Sequence, residues 1–284
     1  MPTFKHILFP VDFSDQSRAV RPFVQSMAST YNARVTLMHV VQLPTDTYGV
    51  QAAWPVLFDL AAMQEEAQQK LKGFLESPGP HLRVELIAEP GDPAIYITSY
   101  SEQNDVDLIM MPTHGYGSFR GLLLGSVTAK VLHDAKCAVW TSTHTEDPDL
   151  IKHLRCQNIL CCVDLSAGSV ALIAYAADLA RQYNAELRLV HAVPQPDSQP
   201  DQGFGRFLRQ AAQEELAKVQ HQSVTNFEVC IETGGISHVV RTAALRHNAD
   251  LVVIGRGNIH ELFGRLRTNA YAIIRDSPCP VLSV

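Results

Sequence analysis

Residues 6–20 read HILFPVDFSDQSRAV, and residues 158–172 read NILCCVDLSAGSVAL. Both stretches begin with an apolar segment, continue through Val-Asp and one apolar residue, and reach a serine. Asp12 therefore matches Asp164 at an offset of 152 residues. Internal similarity of this kind indicates that one structural unit occurs twice in the chain.

The similarity continues through the rest of the two halves. His39 matches His191 at the same offset of 152, whereas Asp107 matches Asp250 at 143, so the second copy has lost about nine residues in its middle. The further matching segments are YNARVTLMHVV (31–41) with YNAELRLVHAV (183–193), AEPGDPAIYITSYSEQNDVDLIMMP (88–112) with IETGGISHVVRTAALRHNADLVVIG (231–255), and AKCAVWTS (135–142) with SPCPVLSV (277–284). We expect two homologous domains, residues 1–145 and 154–284, joined by a polar linker.

Each copy alternates short apolar runs rich in β-branched residues with longer helical patterns, which predicts strands alternating with helices. Unbroken apolar strands are typical of a parallel sheet that is buried on both faces. The sequence therefore predicts an α/β fold of two doubly wound domains. The predicted strands are His6–Pro10, Arg34–Val40, Arg83–Ala88, Leu108–Met111, Cys137–Thr141, Asn158–Val163, Glu186–Val193, Phe227–Ile231, Leu251–Gly255 and Val281–Val284.

Local signals predict where the helices begin. Ser14 and Ser166 are the expected N-caps of the first helix of each copy. Asp92 is the expected cap of a later helix, with Pro93 at its first position. Pro22 lacks a backbone N–H and should bend the first helix or delay its start. A further helix is predicted from the apolar residues Val56, Leu57, Leu60, Ala61, Ala67, Leu71 and Phe74.

The composition restricts the class of protein. The chain has 284 residues, of which 46% are hydrophobic and 18% charged, with a formal net charge of −6. This much apolar material argues against global disorder, and the acidic balance argues against nucleic-acid binding. No apolar run approaches a membrane span, and the first residues do not resemble a signal peptide, so we expect a cytoplasmic protein.

Six cysteines are present, and none forms a CxxC pair. Cys161 and Cys162 are adjacent on a predicted strand, where neighbouring side chains point to opposite faces. We interpret the cysteines as small buried thiols in a reducing compartment. The alternative is a redox or metal role for Cys156 together with this pair.

The chain resembles the universal stress protein family in its tandem two-domain form. The motifs that carry the resemblance are FPVDFS (9–14), HVV (39–41), GDPA (91–94), DLI (107–109), and THG (113–115) followed by LLLGSVT (122–128). The resemblance implies a five-stranded parallel sheet of order 3-2-1-4-5 in each domain and a role in the stress response. Some members of the family bind ATP and others do not.

The nucleotide motif of this family is Gly-x2-Gly-x9-Gly-Ser/Thr after the fourth strand. Gly115 and Gly125-Ser126 match it in type and spacing, but Pro112 stands at its first glycine. In the second copy the loop is one residue shorter, and Arg267-Thr268 stands at the late position. Arg267 either blocks phosphates or clamps them, and we expect a weak or empty second site.

A sheet of order 3-2-1-4-5 binds ligands where strands 1 and 4 end. Asp12 follows strand 1 and Gly115 follows strand 4, so we expect them to face each other. A carboxylate there accepts a hydrogen bond from an adenine amino group, or else it serves as a turn acceptor at a helix start. Gly115 either lets phosphate approach the backbone or is a plain turn glycine. The predicted nucleotide contacts are Pro10, Val11, Asp12, Val40, Met111, Pro112, His114, Gly115, Gly125, Ser126, Val127 and Thr128.

Other side chains near this loop have two interpretations. His114 and Arg120 either contact phosphates or are solvated, whereas His39 and His191 are interpreted as structural. The loop from Pro112 to Ala129 contains no lysine and no acidic residue. Mg²⁺ would therefore be bound by phosphates, by water and by Ser126 or Asp12. The sequence contains no recognisable set of groups for phosphoryl transfer.

We therefore expect an ATP-binding regulatory protein and not an enzyme, although slow ATP hydrolysis is compatible with the sequence. The alternative is an interaction module whose nucleotide site has lapsed. A third interpretation is an enzyme of a related nucleotide-binding superfamily, such as an adenylyl transferase or a flavoprotein subunit. The tandem repeat resembles a dimer within one chain, with segments 137–141 and 281–284 as neighbours, and a homodimer of whole chains stays open.

Overall fold

The computed structural model describes residues 4–42, 59–75, 82–115, 124–143, 156–193, 202–256 and 265–284. The chain divides into two compact units, one formed mainly by residues up to Val139 and the other mainly by residues from Trp140 onward. The predicted domain limits at 145 and 154 lie outside the described residues.

The first unit contains a parallel sheet in the order β3-β2-β1-β4-β5. Its elements are β1 (His6–Pro10), α1 (Asp15–Tyr31), β2 (Arg34–Val41), α2 (Leu60–Lys72), β3 (Val84–Pro90), α3 (Pro93–Gln103), β4 (Leu108–Met111), α4 (Ser126–Asp134) and β5 (Ala138–Thr141). Ile7 lies opposite Val35 of β2 and Leu108 of β4. Every residue of β1 and β4 is buried, so the centre of the sheet is covered on both faces.

The second unit repeats this topology in the order β8-β7-β6-β9-β10. Its elements are β6 (Asn158–Cys162), α5 (Ser169–Tyr183), β7 (Glu186–Val193), α6 (Gln202–Gln222), β8 (Glu228–Thr233), α7 (Ile236–Arg246), β9 (Leu251–Ile254), α8 (Arg265–Asp276) and β10 (Val281–Ser283). Numbered within each unit, both sheets have the order 3-2-1-4-5. The predicted fold class is confirmed, and all ten predicted strands form.

A carboxylate makes the same contact at the start of the central strand in both units. Asp107 Oδ2 accepts hydrogen bonds from the backbone N–H groups of Lys5 and His6 at 2.7 and 2.9 Å. Asp250 Oδ2 accepts from two consecutive N–H groups at the start of β6, both at 2.8 Å. The repeat found in the sequence therefore extends to individual hydrogen bonds.

Helix α1 begins as predicted and tolerates its internal proline. The Ser14 hydroxyl caps it by accepting from the Ser17 N–H at 3.1 Å. Pro22 lies inside the continuous helix, so the expectation of a delayed start is wrong. The Arg18 carbonyl, which a residue with an N–H at position 22 would bond, accepts from Arg21 Nε at 3.1 Å.

The predicted cap at Ser166 is wrong. Helix α5 begins at Ser169 after Gly168, and no side chain caps it. Residues 166–169 form a turn in which the Ser169 N–H donates to the Ser166 carbonyl at 3.0 Å. This extra turn moves the helix start beyond the reach of the Ser166 side chain.

The other helix predictions are confirmed in part. Asp92 Oδ1 caps α3, which begins with Pro93. In α2, Ala67 and Leu71 are buried as predicted, whereas Leu60 and Ala61 are exposed. Phe74 is buried beyond the helix end. Val56 and Leu57 lie outside the described residues.

The cysteines are buried to different degrees. Cys161 and Cys279 are buried as predicted, and desolvation raises the pKa of each thiol to about 12. Cys137, Cys156, Cys162 and Cys230 are partly exposed as residues. Burial nevertheless raises the thiol pKa of Cys156 to about 12 and that of Cys162 well above its usual range, so the interpretation as buried thiols is wrong only for Cys137 and Cys230. Within the described ranges no three His, Cys, Asp or Glu side chains are grouped to hold a metal ion.

In the part of the chain that the structure describes, no helix is both long enough and apolar enough to cross a bilayer.

Candidate functional site

Asp12 and Gly115 meet where β1 and β4 end. The two strands pair in parallel, so the residues that follow them emerge at the same edge of the sheet. A Cβ atom added to Gly115 would lie 1.9 Å from Asp12 Oδ2 and 3.0 Å from Asp12 Cγ. Only a glycine permits this approach of the carboxylate to the backbone after β4.

The two oxygens of Asp12 have different surroundings. Oδ1 accepts from the Ser14 N–H at 3.0 Å, the Ser14 hydroxyl at 2.5 Å and the Ser17 hydroxyl at 2.6 Å. Oδ2 is the oxygen that faces Gly115. Asp12 is thus a turn acceptor through one oxygen and presents the other to the loop after β4. Sequence reasoning missed Ser17, whose only signal is its position one turn after the cap.

The residue after Asp12 has an unusual backbone conformation. Phe13 has φ +66°, and Leu165, its counterpart in the second unit, has φ +63°. A bulky residue in the left-handed region is an outlier, with a cost of about 1–2 kcal/mol. The centroid of the Phe13 ring lies 4.5 Å from that of the His39 ring and 5.7 Å from that of the Phe74 ring. These ring contacts support the strained turn that carries Asp12.

His39 and His191 make equivalent contacts in the two units. His39 Nδ1 lies 2.8 Å from the Val11 carbonyl oxygen, and His191 Nδ1 lies 2.7 Å from that of Val163. Because a carbonyl only accepts, the proton lies on Nδ1. Burial lowers the pKa of His39, which favours the neutral ring. Both histidines thus hold the end of the central strand.

The start of α4 packs against the loop after β4. The Gly125 N–H donates to the Thr113 carbonyl at 2.9 Å, and the Thr128 hydroxyl donates to the Pro112 carbonyl at 3.1 Å. A Cβ on Gly125 would lie 3.3 Å from both His114 Cα and the Thr113 oxygen. Gly125 is therefore a position of close packing as well as the N-cap of α4.

Helix α4 begins without a side-chain cap, because its N-cap is Gly125. The first N–H groups of a helix have no acceptor within the helix and carry partial positive charge. Ser126, at the first helical position, is exposed, and Val127 is half-buried. This end of α4 has the chemistry of an anion site.

The remaining predicted contact residues differ in how far their side chains are exposed to a ligand. His114 is half-buried, and its ring nitrogen lies 3.2 Å from the Thr113 hydroxyl. Six predicted residues have buried side chains. Thr128 is one of them, and the other five would meet a ligand mainly through their backbone: Pro10, Val11, Val40, Met111 and Pro112. Arg120 lies outside the described residues.

The carboxylate of Asp164 has different surroundings from that of Asp12. Asp164 is exposed, and its Oδ1 accepts from the Ser166 N–H at 3.0 Å and the Ser169 hydroxyl at 3.1 Å. Gly255 matches Pro112 in the repeat, and a Cβ added to it would meet Leu172 Cδ2 at 3.5 Å, an ordinary contact. Gly257, Asn258 at the position that matches Gly115, and the side chain of Arg267 lie outside the described residues.

Comparison with known proteins agrees with the resemblance in the sequence. A sequence profile described as "Universal stress protein family" matches twice, at residues 3–142 and 156–284. A universal stress protein of Methanocaldococcus jannaschii is 30% identical over 138 residues, which cover 48% of this chain and 80% of that protein. Universal stress protein A homolog 1 of Coxiella burnetii is 30% identical over 144 residues, which cover 48% of this chain and 96% of that protein.

A solved structure shows the same fold over the full length. The crystal structure of a universal stress protein from Archaeoglobus fulgidus superimposes with a TM-score of 0.68 at 22% identity. The superposition covers 98% of this chain and 95% of that one. The tandem arrangement of two such units therefore occurs in an experimentally determined structure.

Proposed function

The chain belongs to the universal stress protein family, and from this membership and the geometry of its first unit we propose that it is a regulatory protein of the stress response that binds ATP or a related adenine nucleotide. The same proposal includes the expected cytoplasmic location. Nucleotide occupancy of the first unit would bias its conformation or its interaction with a partner.

The observation that carries the proposal is the position of Asp12 Oδ2 opposite Gly115, at the edge of the sheet where β1 and β4 end. Ligands of doubly wound sheets bind at this edge, where the strand order changes direction. An ionised carboxylate only accepts hydrogen bonds. It therefore suits an amino group such as that of adenine.

The phosphates fit the start of α4. A glycine N-cap supplies no side-chain acceptor to the first-turn N–H groups of the helix, and the helix dipole favours negative charge there. The exposed Ser126 hydroxyl would bond a phosphate or a Mg²⁺ ion held by phosphates. The Thr128 hydroxyl donates its hydrogen bond to the Pro112 carbonyl, so it has no donor left for a phosphate. For the second unit we propose a weak or empty site.

Calorimetric titration tests the proposal on the wild type and on Gly125→Asp. The new carboxylate would cap α4 itself and repel phosphates, and its Cβ would press on His114. We expect binding heat for the wild type and none for the variant. Gly235→Asp is the matched control, because Gly235 caps α7 in the second unit with no atom within 4 Å of an added Cβ. A wild type that gives no heat at millimolar ATP would contradict the proposal.

The second candidate function is an interaction module with a lapsed site, and Pro112 favours it. Pro112 offers no N–H to a ligand, and its carbonyl already accepts from Thr128. The absorbance ratio of the purified protein and analysis of extracted nucleotide separate the two candidates. Nucleotide that copurifies with the protein would support the binding function.

Three further predictions accompany this proposal. Turnover of bound ATP should be slow or absent, which an assay of phosphate release would measure. Small-angle scattering tests whether the two halves associate as expected, because two separated lobes would contradict that expectation. Light scattering tests for a homodimer.

A further inference from the structure

His39 replaces a backbone donor at the end of β1. The ladder between β1 and β2 is regular up to the bond from the Val11 N–H to the Met38 carbonyl, at 2.8 Å. The next bond of a parallel ladder would run from the Val40 N–H to the Val11 carbonyl. In the described part of the chain this carbonyl instead accepts from His39 Nδ1, at 2.8 Å.

The same histidine also contacts the residue on the other side of Asp12. The ring centroids of His39 and Phe13 are 4.5 Å apart, with an interplanar angle of 34°. His39 therefore holds Val11 by a hydrogen bond and Phe13 by ring packing. Asp12 lies between these two residues in the chain, so its backbone is fixed from both sides.

We propose that His39 is a positioning residue of the nucleotide site, which fixes Asp12 opposite Gly115. This inference rests on the proposed function. In a purely structural role, His39 would only stabilise the fold. In the proposed role, its hydrogen bond to the Val11 carbonyl also determines where Asp12 Oδ2 lies.

The second unit provides an internal control. His191 Nδ1 bonds the Val163 carbonyl at 2.7 Å, and the Val163 N–H bonds the Val190 carbonyl at 2.9 Å. Asp164 is exposed there. Replacing His191 thus removes the same kind of bond without touching the proposed site.

The experiment compares His39→Leu, His39→Asn and His191→Leu in the full chain, with ATP as the probe. The Asn side chain places an N–H donor close to the position of Nδ1. We expect His39→Leu to weaken ATP binding by about tenfold or more, which corresponds to about 1.4 kcal/mol. His39→Asn should stay within roughly threefold of the wild type, as expected when the hydrogen bond is largely kept. His191→Leu should bind ATP as the wild type does.

Two results would overturn the assignment. One is unchanged ATP affinity in His39→Leu with a melting temperature lowered as much as in His191→Leu, because that is the pattern of a structural residue. The other is an affinity of His39→Asn as low as that of His39→Leu, because the hydrogen bond would then have no part in binding.

A second readout needs no nucleotide. Amide chemical shifts of Asp12 and Gly115 should move in ligand-free His39→Leu and stay unchanged in His191→Leu. If the wild type binds no ATP, the proposed function fails, and these shifts still test the positioning. Unmoved shifts in His39→Leu would overturn it.

Discussion

Replacing Gly115 with alanine tests the close approach on which the site depends. An added Cβ would lie 1.9 Å from Asp12 Oδ2, so the two atoms have to separate by at least about 1.1 Å to reach the 3.0 Å below which such contacts do not occur. The φ of Gly115 is not in the left-handed region, so an alanine backbone is not strained there. Any destabilisation must therefore come from displacement of the carboxylate or of the loop.

The displacement has a calculable cost. Asp12 Oδ1 lies 2.6 Å from the Ser17 hydroxyl, and a movement of about 1 Å takes this pair beyond hydrogen-bond range. Loss of one hydrogen bond to a charged group costs about 1.5–3 kcal/mol. This loss corresponds to a melting temperature lower by roughly 4–10 °C. If Asp12 bonds the ligand, ATP affinity should also fall by about one to two decades.

Thermal unfolding and calorimetric titration with ATP measure both effects. Gly255→Ala, just after β9 in the second unit, is the control for a glycine-to-alanine change outside the site, because its Cβ would meet Leu172 at an ordinary 3.5 Å. We expect this control to melt within a few degrees of the wild type and to bind ATP unchanged. A Gly115→Ala protein with the stability and the affinity of the wild type would refute the reasoning.

Two further predictions concern stability. Asp92→Ala removes the acceptor for the Ala94 and Ile95 N–H groups and should lower the free energy of unfolding by about 1 kcal/mol in urea denaturation at pH 7. Asp92→Asn should lose only a few tenths of a kcal/mol. The backbone bond from Ile95 lowers the pKa of Asp92, so the difference between wild type and Asp92→Ala should shrink below pH 3.8; a constant difference would contradict the cap. Burial lowers the pKa of His6 below 6.5, so as the pH falls this histidine is protonated in the unfolded chain before it is protonated in the folded one. The free energy of unfolding therefore decreases as the pH drops below 6.5. His6→Asn should flatten this slope in denaturation curves between pH 6.5 and 5, and an unchanged slope would contradict that origin.

The sequence predicted the fold well because buried parallel strands require unbroken apolar runs. The run at 6–10 and its match at 158–162 are both strands at the centre of a sheet. The meeting of Asp12 with Gly115 was also predictable, because parallel topology brings the ends of adjacent strands to one edge. The sequence pattern therefore indicates which segments are buried and how the strands are connected.

Local geometry was less predictable, because it depends on contacts that a sequence pattern does not contain. Ser166 has the residue type of a cap, but a turn ending at Gly168 displaces the helix start. Phe13 is in the left-handed region although its residue type disfavours it, and ring packing supports it there. The role of Ser17 depends on the orientation of the Asp12 carboxylate.

The position of β1 between β2 and β4 has a consequence for synthesis on the ribosome. Asp107, which bonds the N–H groups before and at the start of β1, follows Lys5 by 102 residues. At about 5–20 residues per second, roughly 5–20 s separate the translation of the two. During that interval the edge of β1 that pairs with β4 in the folded protein has no partner strand, and the apolar residues of β1 stay exposed there. A translational pause before residue 107 should therefore prolong chaperone binding, whereas a pause after β4 has emerged should not.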